Sequence, residues 1–89
     1  MEHFIDKEDE YKRWLKDHQS GFVVNSFHTP SPSYLRLHRS TCGYIKSPLR
    51  TNYTTGDYSK TCSDSKQALH DWAVNEVGGA LNPCRCCKR

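Results

Sequence analysis

Apolar residues along the chain fall into two stripes of helical spacing with two alternating runs between them. Tyr11, Trp14 and Leu15, with His18 completing the series, recur at i, i+3, i+4 and i+7, which predicts a helix from Lys7 to about Gln19. Asp6 is its expected N-cap, acids at Glu8, Asp9 and Glu10 suit the positive end of the helix dipole, and Gly21 stops it. Phe22 to Phe27 is β-branched and aromatic and predicts a strand. Pro30 and Pro32 make the next segment a turn, since proline suits neither a helix interior nor a central strand. From Tyr34 to His38 the pattern alternates, with Leu35 and Leu37 on one face and Tyr34, Arg36 and His38 on the other, so a second strand antiparallel to the first is expected.

Residues 43–60 are irregular, with one further short strand expected near Tyr58–Thr61. Ser63 reads as the N-cap of a second helix whose stripe is Ala68, Leu69, Trp72, Ala73 and Val77, closed by Gly78 and Gly79. The order is a helix, two or three antiparallel strands, a second helix and a cysteine-rich C-terminus, which predicts a small α+β fold with residues 1–89 forming one domain.

Composition adds a need for a cross-link. Only 35% of the 89 residues are hydrophobic, five of them Cys, and a core this thin calls for a disulfide or a metal. The first twenty residues carry charges throughout and no apolar signal core, and no run of eighteen apolar residues occurs. The expected compartment is therefore cytoplasmic, where clustered thiols hold metal more often than they pair. The spacings fit that reading. His38 and Cys42 form H-x3-C at the end of a predicted strand, and Cys84 and Cys87 form C-x2-C after Pro83. Two short pairs supply four N/S ligands at little loop entropy, the set that tetrahedral zinc requires. The expectation is one zinc on His38, Cys42, Cys84 and Cys87. Cys62, just before the second helix, is the alternative ligand, and the role of Cys86 stays open.

The run His38-Arg39, Cys42, Tyr44-Ile45, then Ser63 with Ala68-Leu69, then Pro83-Cys84 with Cys87, resembles small bacterial zinc-binding modules related to the metal-binding domain of the Ada DNA-repair protein. The resemblance covers residues 38–87 through these short motifs. It implies a zinc-centred fold that touches nucleic acid. In the Ada domain all four ligands are Cys and one accepts a methyl group from a DNA phosphotriester. Here His38 stands first in the set, so that acceptor chemistry does not carry over.

Charge is unevenly spread. Residues 34–60 hold Arg36, Arg39, Lys46, Arg50 and Lys60 against Asp57 alone, and the tail adds Arg85, Lys88 and Arg89. Interleaved with Tyr34, Tyr44, Tyr53 and Tyr58, these five cations offer phosphate contacts and stacking surfaces, which makes nucleic-acid binding, to DNA or RNA, the leading expectation. A structural or protein-interaction zinc domain without nucleic-acid contact is the alternative. An enzyme is the less favoured reading. Cys62 and His70 offer a nucleophile and a base, but no phosphate-binding glycine loop or catalytic triad accompanies them, and a closed zinc site leaves no position for water.

Overall fold

Two adjacent valines decide the layering. Val23 and Val24, in strand β2 (Phe22–Phe27), leave opposite faces of the strand, and both are fully buried. Both faces must therefore be covered. Val23 packs in one cluster with Tyr11, Trp14 and Leu15 of helix α1 (Glu8–Asp17). Val24 packs in the other with Leu69 and Trp72 of helix α2 (Lys66–Trp72), which runs on through a wider π-type turn at Ala73–Val77. The computed structural model, which describes residues 1–45 and 52–84, thus places a sheet between two helices, the α+β class that the pattern predicts.

The sheet has five strands in the order β1-β4-β2-β3-β5, with β1 at Glu2–Phe4, β3 at Leu35–Arg39, β4 at Tyr58–Ser63 and β5 at Asn82–Pro83. β2 pairs antiparallel with β3, as the alternation predicts, and also with β4, while β1 pairs antiparallel with β4. β5 lies parallel to β3, which makes the sheet mixed rather than purely antiparallel. The two short edge strands have no periodicity of their own to read; pairing with a neighbour makes them strands.

Two cap expectations shift. Asp6 does not cap α1; it sits at φ 55, and the helix begins two residues later with no side-chain cap. The reason is a tertiary clamp. The Asp6 N–H donates to the Thr54 carbonyl, the Lys7 N–H donates to Thr54 Oγ1, and the Thr54 N–H donates to the Glu8 carboxylate. Ser63 belongs to β4, and the N-cap of α2 is Ser65, whose hydroxyl accepts from the Ala68 N–H at 3.1 Å. At the far end Gly78 adopts φ 84, the left-handed stop expected there.

Strand β4 is buried on both faces although its sequence is polar. Ser59, Lys60, Thr61 and Cys62 are each 3% exposed or less. Buried polar groups need partners, and these have them. Ser59 Oγ donates to the Phe27 carbonyl at 3.1 Å, and Thr61 Oγ1 meets His3 Nδ1 at 3.0 Å.

Leu69 of α2 is fully buried in the cluster that holds Val24, Leu35 and Leu37. Leu69→Ala is expected to lower the unfolding free energy by about 3 kcal/mol, through lost transfer energy and the cavity left behind. Urea titration followed by tryptophan fluorescence measures it.

Candidate metal centre and the cavity beside it

His38 stands at the penultimate position of β3, on the face that α1 covers, and is buried. After β3 the chain turns back. The Ser40 N–H donates to the Gly21 carbonyl at 3.0 Å, and Ser40 Oγ donates to the His18 carbonyl at 2.6 Å. These bonds fix the turn that carries Cys42, whose N–H donates to the Arg39 carbonyl at 3.0 Å. A single 3-10 turn, Gly43–Ile45, follows, and the Ile45 carbonyl accepts from the buried Tyr11 hydroxyl at 2.7 Å. From the other end of the chain, β5 lies along β3, and the Cys84 N–H donates to the Leu37 carbonyl at 2.8 Å. The backbone thus brings Cys84 beside His38 across forty-six positions of sequence.

The outcome is a buried group of His38, Cys42 and Cys84 whose ligand atoms all lie within 4.8 Å of one another. This group could hold a metal ion. In tetrahedral zinc, ligand atoms stand about 3.5–3.8 Å apart, so closure needs an inward shift of about 1 Å. The electrostatics fit. Burial, then the nearby cations Lys60 and Arg36, lowers the His38 pKa from 6.5 to about 4, which keeps the imidazole in the neutral form that binds metal. Soft sulfur with imidazole nitrogen is a donor set for zinc rather than for calcium or magnesium. Cys87, the expected fourth ligand, and Cys86 lie outside the described residues.

Cys62 does not join this group. Val23 pairs with His38 on one side and with Cys62 on the other, so β2 runs between them. Two interstrand spacings put their backbones about 10 Å apart with the buried Val23 between them, and the ligand atoms that do meet are those of His38, Cys42 and Cys84. Nor does Cys62 start a helix. It lies inside β4, fully buried, and burial pushes its thiol pKa up, against the activation a helix start would give. His70 is exposed on α2, against the opposite face of the sheet, so the two make no nucleophile and base pair.

Beside the metal group lies a cavity of about 470 Å³, whose lining includes Tyr34, Arg36, Tyr58 and Lys60 together with His38 and Cys84. Among the described residues no carboxylate lines it. Of the five cations expected on one basic face, Arg36 and Lys60 point into this cavity. Arg39 does not: three positions from Arg36 along a strand, it leaves the opposite face. Lys46 and Arg50 lie outside the described residues. Lys60 is buried rather than presented on an open surface, its Nζ donating to Asn25 Oδ1 and to the Tyr53 carbonyl at 2.7 Å each. The alternation of Tyr58, Lys60 and Cys62 is the signal that could have placed this cation on an inward face.

Compared with known protein families, characterised proteins and solved structures, the chain matches none. No described helix is long and apolar enough to cross a membrane.

Two outcomes follow from this geometry. Cys62→Ala should keep its metal content and lose about 1 kcal/mol of stability, whereas Cys42→Ser and Cys84→Ser should lose the metal; elemental analysis and thermal unfolding measure both. His38 gives a pH signature in metal-free protein. Its folded pKa is depressed, so between pH 6.5 and about 4 the unfolded chain takes up a proton that the folded chain does not. Stability should therefore fall as pH drops through that window, and His38→Gln should flatten the slope in urea titrations at several pH values.

Proposed function

We propose that the protein is a zinc-stapled module that binds nucleic acid as a single strand, through the concave, tyrosine-lined side of its sheet. Zinc would be held by His38, Cys42, Cys84 and Cys87 and would supply a cross-link, not a reacting centre, because four protein ligands leave no position for water. The observation that carries the reading is adjacency. The group that could hold a metal sits against a cavity with two cations, several tyrosines and no described carboxylate. The staple would tie the end of β3 to the C-terminal segment and hold that wall of the cavity in place. A recessed aromatic site suits unstacked bases better than a duplex, whose grooves are read by protruding elements.

The alternative is a structural or protein-interaction zinc domain. It is favoured by the burial of Lys60 and the outward turn of Arg39 to the other face, which leave fewer cations along one surface than the sequence suggests.

Protein purified without added metal should contain one zinc, and chelation should destabilise the whole domain, lowering the midpoint of its thermal transition, rather than just empty a site. Fluorescence anisotropy at two salt concentrations should show single-stranded oligonucleotides bound at Kd of roughly 10⁻⁴–10⁻⁶ M, more weakly at high salt as phosphate counterions are released. Absence of binding at low salt and about 100 µM protein would leave the protein-docking reading in its place.

A further inference from the structure

The cavity beside the metal group offers more donors than acceptors. Asn25 Oδ1 is occupied by the Lys60 ammonium, and so is the Tyr53 carbonyl. Asn25 Nδ2 donates to the Tyr34 hydroxyl at 3.1 Å, which leaves that hydroxyl its own proton to give. Among the described residues the Tyr34 proton has no acceptor, and the Tyr58 hydroxyl has no hydrogen-bond partner. The Arg36 guanidinium makes one long bond, to the Pro83 carbonyl at 3.5 Å, which leaves most of its N–H groups for another acceptor. A ligand that fits must bring acceptors and negative charge. Lys60 and Arg36 give the lining two positive charges. A zinc centre with three thiolates would carry a charge of about −1, so the balance stays positive.

The aromatic side of the cavity is already ordered. The rings of Tyr34 and Tyr58 stand 5.9 Å apart, and Phe27 packs against both, at 5.4 Å and 6.0 Å. Rings fixed by one another lose little entropy when a planar group stacks on them. The volume, about 470 Å³, matches a small-molecule site and has room for one planar ring system with its substituents.

We infer that this cavity is a nucleotide pocket, which takes a planar base against the Tyr34–Tyr58 wall and its phosphate at Arg36, over the buried charge of Lys60. A phosphate monoester is anionic and brings three acceptor oxygens, enough to take the Arg36 N–H groups and the Tyr34 and Tyr58 hydroxyl protons together; a simple carboxylate is anionic too but brings only two. The same chemistry could arrive as a free mononucleotide or as the phosphorylated end of a strand. Only the second source rests on the nucleic-acid reading above.

The test is isothermal titration calorimetry on the zinc-loaded full chain. The probes are adenosine 5′-monophosphate, adenosine, inorganic phosphate and a 5′-phosphorylated oligodeoxyadenylate. The monophosphate should bind at least about tenfold more tightly than adenosine or phosphate, since loss of one charge-assisted pair is worth that factor or more. Arg36→Ala should weaken the monophosphate about tenfold or more and leave adenosine binding, zinc content and thermal unfolding unchanged. Tyr58→Leu should weaken both nucleoside and nucleotide. Lys66→Ala, on the far side of the sheet, should change nothing. Competition between monophosphate and oligonucleotide for one site supports the strand as the source. Binding of the monophosphate without the oligonucleotide supports the pocket and removes the nucleic-acid function. Binding of the oligonucleotide without any monophosphate binding at about 5 mM, or equal affinity for adenosine and its monophosphate, overturns the pocket and leaves the proposed function standing.

Discussion

A buried ammonium organises the α1 side of this protein. Lys60 is 3% exposed, and a charge taken out of water must be compensated in full or its burial is prohibitive. The compensation is visible atom by atom. Two oxygens accept from Nζ at 2.7 Å, and the rings of Tyr11, Tyr53 and Tyr58 surround it at 5.6–5.9 Å, where aromatic faces attract a cation. Each partner is thereby constrained in turn. Fixing the Tyr53 carbonyl fixes Thr54, and Thr54 clamps the backbone of Asp6 and Lys7 and the carboxylate of Glu8. Helix α1 starts from that clamp. Its Tyr11 hydroxyl, buried between these rings and with its pKa pushed up, reaches the Ile45 carbonyl just beyond Cys42. The same charge that shapes the helix start therefore also positions one arm of the metal group.

The group of His38, Cys42 and Cys84, which could hold a metal ion, lies where β5 meets β3. Parallel pairing of β5 with β3 is only two residues long, a weak attachment by itself. An ion shared by His38, Cys42 and Cys84 would turn that attachment into a cross-link between the centre of the chain and its C-terminal segment. Charge favours it as well. Arg36 and Lys60 oppose protonation of His38, so the cavity cations keep the imidazole in the form that binds metal. The group that could hold a metal and the cavity share His38 and Cys84, so a metal bound there would stiffen the cavity wall.

Much of this was legible along the chain, for a local reason. Helix α1 announces itself through Tyr11, Trp14 and Leu15 and α2 through Leu69 and Trp72, because helical periodicity is a property of consecutive residues. The pairing of β2 with β3 follows from alternation on either side of a proline-bearing turn. The proximity of His38 and Cys42 follows from their spacing.

What the tertiary structure alone decided is everything that depends on which strand lies next to which. β4 reads as a polar segment, yet it is inserted between β1 and β2 and buried on both faces, because its serines, Thr61 and Lys60 find partners there. Cys62 is an alternative ligand by residue type, and the β2 strand separates it from His38. The spacing of Cys84 and Cys87 already marks Cys84 as a ligand beside His38, and the parallel pairing of β5 is what brings it there. Arg36 and Arg39 look like one basic patch, and the pleat of β3 sends them to opposite sides. Asp6 is a sound N-cap by residue type, and Thr54, distant in sequence, outbids it for the chain. Periodicity says which side of an element faces inward; only the pairing of distant segments says what it will meet there.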